Sequence, residues 1–420
     1  MERPSASAQG VIFMLALATL LNYVDRSNLS TAAPLLQDEL SLSNTQMGVL
    51  LSAFFWVYAP AQILAGWLVH RYSTRIVLAA GVVLWSLATG ATGLAVGFGS
   101  ILALRLLLGL GESVTFPSWQ LIVATQTVEH ERGRANGIIG AGQGVGPMLG
   151  TLVGGLAMAR FGWRVMFVGL GILTLLWVWP WLAVTRDGLA RPTHEHDAPS
   201  ISYGAILSTR EFWGAALGHF AINYAFYFVI TWLPTFLVKA GGFSVSEMAW
   251  IVATIYAVYS VTAVAAGILS DRWIASGGSP TRVRKAFLLA SAAGAAVSIG
   301  ASAMVDPHVS IWLLGVAGFS FGLSTPTAFA VTSTLAGPRA AGRWAGAQNV
   351  AGQLAGVLAP LVTGFTVDRT GGFASAFAIA GAVALVAAFA WGVVIRRVAT
   401  VQWADDVVAA PVVAVIGASR

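Results

Sequence analysis

The sequence predicts an all-α membrane protein with twelve transmembrane helices in two pseudo-symmetric six-helix bundles. Three observations predict it. Of 420 residues, 57% are hydrophobic and only 10% charged, with a mean hydropathy of +0.77, whereas a soluble domain carries about 25% charged residues. Twelve apolar windows, each long enough to cross a hydrocarbon core of about 30 Å, follow one another. The second six repeat the first.

The windows lie at residues 11–33, 45–69, 76–97, 99–124, 133–158, 163–185, 211–237, 246–270, 284–305, 310–335, 341–366 and 373–396. The first reads as a retained helix rather than a signal peptide, because no small-x-small cleavage site follows it and many equal segments come after. Strands are excluded by window length and the lack of period-two alternation. Many of the 47 glycines fall inside the windows, as expected where membrane helices pack closely. GAGQGVGP, in the fifth window, has no preceding strand and no following lysine, so it reads as close packing with a kink rather than a phosphate loop.

With a cytoplasmic amino terminus, 17 of the 23 Lys and Arg residues fall on that side. Four (Arg160, Arg164, Lys239, Arg369) fall on the other, and Arg26 and Arg105 stay inside the membrane. This bias places both termini in the cytoplasm of a multi-pass protein of the inner, or plasma, membrane. The longest connection separates the halves: 1–187 as the first bundle, 188–209 as a cytoplasmic linker, 210–397 as the second bundle and 398–420 as a cytoplasmic tail. The linker's His194-Glu195-His196-Asp197 cluster reads as solvated chain, since no partner ligands stand nearby. The net charge of +6 sits in short loop clusters, which argues against a nucleic-acid surface. With no cysteine, disulfides, thiolate metal sites and a cysteine nucleophile are excluded.

A shift of 201 brings Asn22-Tyr23 onto Asn223-Tyr224 and Gly66 onto Gly267. A shift of 209 brings Pro117 onto Pro326, and Gly133, Arg134, Arg160 and Gly162 onto Gly342, Arg343, Arg369 and Gly371. Halves related this way put a site near the midplane between them. The symmetry breaks where the charges are: Asp25-Arg26 becomes Phe226-Tyr227, Arg105 becomes Leu314 and Glu112 becomes Phe321. The charges therefore serve what the first half does, not the building of a six-helix unit.

Asp25, Arg26, Arg105 and Glu112 lie at membrane depth. Each costs about 2.5–3.5 kcal/mol there if unpaired, roughly 10 kcal/mol for the set. They must face one another or a wet cavity. Arg105 and Glu112 share a helix face, whereas Asp25 and Arg26 are about 100° apart, so at most one of that pair points straight into a cavity. An arginine fork matches a carboxylate and stays charged, and a buried carboxyl beside an arginine can exchange a proton. Tyr23, Tyr58, Gln143, Ser324, Thr325 and Asn349 are further polar residues in apolar windows, either lining a pathway or bonding helix to helix. His219 stands alone near the start of the seventh window and reads as a packing residue.

NYVDR in the first window, RLLLGLGESVTFP in the fourth, GQGVGPMLGTLVGG in the fifth, NYAFYFVITWLPTFL in the seventh and GILSDR after the eighth together resemble the major facilitator superfamily. Within it they most resemble the anion:cation symporter family, which includes sugar-acid and hexuronate transporters, over residues 11 to 397. The resemblance implies the major facilitator fold, with Arg26 facing the cavity as anion anchor. It implies proton coupling through Asp25 and Glu112, with Arg105 as their tuning partner. It marks Tyr23 and Gln143, and with them Tyr58 and Asn349, as substrate contacts. GWLVHRYSTR resembles the loop signature after the second helix and implies gating by Arg71, Arg75, Asp271 and Arg272. Two departures stand out: His70 replaces the usual loop aspartate, and Ser118-Trp119-Gln120 follows FP in the fourth helix, so that Trp119 is expected to reshape the pocket.

The expected function is proton-coupled symport, importing a small organic anion such as a sugar acid by alternating access. The partners are that anion, protons and the bilayer, with no cofactor or metal, and the chain is expected to be a monomer. An exporter or facilitator on the same fold is the alternative. A polytopic membrane enzyme lacks a catalytic cluster, since no histidine lies at membrane depth beside the buried acids, and a sensor would bind without flux.

Overall fold

The computed structural model describes residues 6–128, 131–185, 189 and 201–403, which hold helices and no strands. The first half comprises α1 (Ala6–Leu40), α2 (Asn44–Arg71), α3 (Thr74–Thr92), α4 (Phe98–Glu112), α5 (Thr115–Gln126), α6 (Arg132–Leu176) and α7 (Val178–Val184). A short α8 (Tyr203–Leu207) precedes the second half, which comprises α9 (Arg210–Thr235), α10 (Val245–Ala275), α11 (Pro280–Ser302), α12 (Pro307–Thr370) and α13 (Ala374–Phe389). One π-helical turn extends α9 through Phe236–Ala240 and another extends α13 through Ala390–Val394.

The twelve windows appear as ten span-length stretches because two pairs run together. Windows 133–158 and 163–185 join at Gly162 (φ 79°, ψ 160°), and windows 310–335 and 341–366 join at Gly337 (φ 64°, ψ 173°). Glycine takes this backbone without steric cost, so one residue turns the chain where the sequence suggests a loop. Divided at these glycines, the described helices are consistent with twelve crossings. Window 99–124 is broken at Ser113-Val114 into α4 and α5, just past Glu112.

The helix starts carry the repeat. Ser43 caps α2 in a box with Gln46, and Ser244, its mate under the shift of 201, caps α10 in a box with Glu247. Each half also has its own core. Trp85, Trp177 and Trp181 anchor one cluster in the first half, and Phe228, Phe321 and Trp344 anchor that of the second. Residues 398–403 join the second core: Val398 N–H donates to Thr281, Val401 N–H donates to the Leu335 carbonyl, and Trp403 meets Trp344 edge-on at 6.4 Å.

GAGQGVGP packs as its glycines suggest, seated on α1. A Cβ on Gly142 would stand 2.8 Å from the Leu20 nitrogen, and one on Gly146 would stand 2.6 Å from the Tyr23 Cβ. Because the obstacle at Gly142 is backbone, it cannot step aside. Gly142→Val is expected to lower the thermal unfolding midpoint in detergent by several degrees, from an overpacking cost of about 1–3 kcal/mol. Gly315→Val, with nothing within 4 Å of its Cβ position, is expected to leave the midpoint within a degree or two.

Candidate functional site

The site begins on α1, where adjacent residues diverge as a 100° step requires. Asp25 is 2% exposed and turns to α3, where Thr89 donates to Oδ1 at 3.0 Å. Arg26 turns toward the other face, where its Nε donates to Glu112 Oε2 on α4 at 2.8 Å. The Arg26 side chain is 17% exposed and that of Glu112 is 0% exposed. Three rings surround the guanidinium: its carbon stands 4.8 Å from the centroid of Tyr23, 4.7 Å from Phe54 and 4.4 Å from Tyr58. Aromatic faces attract cations, and these three hold the fork in place.

The pairing is inter-helical. The direct partner of Glu112 is Arg26, not Arg105 on its own helix. Arg105 is buried nearby, 5.6 Å from the Phe54 centroid, and its Nε has no hydrogen-bond partner among the described residues. Asp25 Oδ2 and Glu112 Oε1 are also without one. Four charges of balanced sign thus share one region, with one tight ion pair and three polar atoms left unmatched.

The other sequence candidates divide. Tyr23 and Tyr58 join the cage around Arg26, Tyr58 stacking on Phe54 at 4.8 Å. Thr325 is half-buried, its Oγ1 3.3 Å from the Tyr259 hydroxyl. Ser324 is buried and donates to its own helix at the Phe321 carbonyl. Gln143 and Asn349 are half-buried. Trp119 does not join the rings around Arg26. It is 7% exposed in the first half's core, with its indole donating to Asn136 at 2.8 Å, so the expectation that it reshapes the pocket gives way to a packing role.

The structure adds residues that the sequence reading passed over. Tyr227 meets Phe55 across the two halves, with ring centroids 5.0 Å apart, and Tyr259 lies beside it against Phe226. Both were marked by the repeat: Tyr227 is the mate of Arg26 and Tyr259 the mate of Tyr58 under the shift of 201. α9 is the most buried span at 72%, yet His219, Asn223, Phe226, Tyr227 and Ile230 keep partial exposure along one stripe. Since Tyr227 reaches the other half, this stripe faces the space between the bundles.

The two bundles meet at the end remote from both described termini. Asp368 on α12 accepts at Oδ1 from the Asn44 amide (3.1 Å) and side chain (2.9 Å), and at Oδ2 from the Thr45 amide (2.7 Å) and hydroxyl (2.5 Å). A carboxylate so placed caps the positive end of α2. Asp38 and Lys239 form an ion pair beside it. At the opposite end, Cβ positions on Gly137, Gly140, Gly342 and Gly346 meet nothing within 4 Å among the described residues. Of the four gating candidates there, Arg71, Asp271 and Arg272 are exposed. Arg75 is held inside its own half, bonded to Thr185 and to the Leu182 carbonyl.

Stacked long helices in two cores, a charged cluster buried in the first half and a seal at one end fit a polytopic membrane transporter. A family model of the Major Facilitator Superfamily matches residues 15–360 and again 242–417, and the chain belongs to that superfamily. It is similar to a hexuronate transporter of Bacillus subtilis (strain 168), 32% identical over 393 residues and covering 90% of this chain and 93% of the relative. It is also similar to a D-galactonate transporter of Escherichia coli O6:H1, 27% identical and covering 93% and 96% of the two chains. Among solved structures, a bacterial homolog of the human lysosomal transporter Spinster, inward-facing and unoccupied, shares the fold, with a TM-score of 0.76 at 20% identity over 93% of this chain and 97% of that one.

The seal is testable because the native chain has no cysteine. Spin labels on Leu94→Cys and Met304→Cys, both strongly exposed at the sealed end on opposite halves, report its opening. Adding Asp368→Ala is expected to shift the double electron–electron resonance distribution toward longer distances. An unchanged distribution refutes the tie.

Proposed function

We propose that the protein imports a small organic anion, a sugar acid or similar carboxylate, together with protons by alternating access. In this reading it is a monomer in the inner membrane with both termini in the cytoplasm, residues 1–187 and 210–397 moving as two bundles about the 188–209 linker. The observation that carries the reading is the Arg26–Glu112 ion pair inside the ring of Tyr23, Phe54 and Tyr58. Arg26 is the partly exposed member, and its Nε holds Glu112 while the planar guanidinium offers a fork that matches a carboxylate. Tyr58, Tyr227, Gln143, Thr325 and Asn349 supply polar groups around the rest of the cargo, with Ser324 behind them.

The charge balance accounts for coupling. Asp25, Arg26, Arg105 and Glu112 sum to zero. An anion bound at Arg26 leaves one negative charge in excess, and a closed low-dielectric site opposes it. A proton on Glu112 or Asp25 restores neutrality and also loosens Glu112 from Arg26, freeing the fork for the cargo. Anion and proton then cross together and leave together, and Arg105 holds the carboxylates in range throughout. Arg71, Arg75, Asp271 and Arg272 would close the terminal end in the opposite state. The names of the hexuronate and D-galactonate relatives support the choice of cargo class.

Purified protein in proteoliposomes, with an imposed inward proton gradient, is expected to accumulate one or more members of a sugar-acid panel. Uptake that ignores the gradient would remove the symport step. Glu112→Gln is expected to abolish gradient-driven accumulation while retaining exchange of cargo across the membrane. Normal accumulation by this variant would defeat the assignment of Glu112.

A further inference from the structure

We infer that His219 is a cargo-contacting, specificity-determining residue of the second bundle, donating from Nε2 to a hydroxyl oxygen of the anion remote from Arg26. The inference rests on the organic-anion reading above and extends it to a residue outside the charged cluster.

The ring is fixed by an amide whose orientation the chemistry settles. Gln348 Oε1 lies 3.0 Å from the Trp344 indole nitrogen and 3.0 Å from the Thr332 hydroxyl. An indole N–H can only donate, so the Gln348 atom facing it must be the oxygen. The Gln348 nitrogen therefore faces His219 Nδ1, at 3.1 Å, and an amide nitrogen can only donate. Nδ1 must accept, which puts the ring proton on Nε2. Protonating Nδ1 as well would set two donors against each other, so the network holds His219 as a neutral donor. Gln348 is thus a positioning residue.

The location follows from the repeat. Gln143 on α6 corresponds to Gly352 on α12 under the shift of 209. The second half therefore has no side chain where the first projects an amide. The vacated space is filled from α9: a Cβ on Gly352 would stand 2.7 Å from His219 Nε2 and 3.0 Å from Cδ2. A donor is restored at the level of Gln143, from a different helix. His219 also heads the half-exposed stripe that runs through Asn223 and Phe226 to Tyr227. It lies eight residues before Tyr227, the mate of Arg26, or about 12 Å along the helix axis at 1.5 Å per residue. An extended hydroxylated acid held by its carboxylate at Arg26 points its far hydroxyls along this stripe. A short unsubstituted acid offers nothing to accept there.

The test separates this contact from structure and from the parent reading. In proteoliposomes, His219→Leu is expected to raise the KM for a hexuronate about 3- to 10-fold, the range of one hydrogen bond, with kcat within twofold. The inhibition constant of hexanoate, which has the chain length without hydroxyls or a second carboxylate, is expected to stay unchanged. His219→Gln, whose amide nitrogen reaches the Nε2 position, is expected to recover the hexuronate KM. An unchanged hexuronate KM, equal losses for both acids, or failure of Gln to rescue would overturn the inference while leaving the transport reading in place. Wild-type liposomes that take up no organic anion would instead defeat the transport reading. The placement of His219 is then decided without cargo: His219→Cys, the only cysteine in the chain, should react in detergent with a sulfonated methanethiosulfonate far faster than Leu217→Cys on the outer surface. An unreactive His219→Cys variant refutes the inference.

Discussion

The ion pair between Arg26 and Glu112 is the constraint around which the rest of the site is arranged. An unpaired charge at bilayer depth costs about 3 kcal/mol on insertion scales, and removing one member of a buried pair costs about as much again or more. The pair ties α1 to α4, and the α4 helix breaks immediately beyond Glu112. The two members differ in access, Glu112 sealed and Arg26 reachable. A group that must stay neutralised but can be approached from one side is suited to trading partners. Tyr23, Phe54 and Tyr58 keep the guanidinium in place during such an exchange.

Duplication supplied the frame, and divergence supplied the chemistry. The capping boxes at Ser43 and Ser244, and the positive-φ glycines Gly162 and Gly371, are kept in both halves because they govern how helices start and turn. Tyr58 and Tyr259 are kept as well, Tyr58 against Phe54 in the first half and Tyr259 against Phe226 in the second. The charged positions are not kept: where the first half has Asp25 and Glu112, the second has Phe226 and Phe321, packed edge to face at 5.4 Å. One bundle carries charge that must be managed, and the other presents a rigid aromatic wall that needs no counterion. Tyr23 and Tyr224 diverged too, the first over Arg26 and the second into the core.

The sequence displays most of this because its strongest signals are energetic. Apolar windows, charges inside them and a repeat that drops those charges are visible without coordinates. Partner choice is less visible. Spacing put Arg105 and Glu112 on one face, yet helical separation along the axis is about 10 Å, and a neighbouring helix brought Arg26 closer. The direct joins within α6 and α12 were hidden because a gap between two apolar windows reads as a loop, and composition does not show that one positive-φ glycine makes the turn. The Asp368 cap on α2 joins residues more than 300 positions apart, and no periodic pattern encodes such a contact. His219 looked isolated for the same reason, since its partner Gln348 is 129 residues away.

The distribution of interaction strengths suits a molecule that must change state. The seal at the far end is built of exposed groups. Hydrogen bonds there are worth about 1 kcal/mol each, and an exposed pair such as Asp38 with Lys239 less than that. Together they amount to a few kcal/mol, the scale on which binding of a ligand with differential affinity shifts a two-state population. The buried charges are worth more and cannot be left unmatched in either state. Weak contacts at the periphery can therefore yield on each cycle, while the strong ones at the centre dictate what must be bound before they do. On the proposed reading, coupling and gating are separated in space because they need interactions of different magnitude.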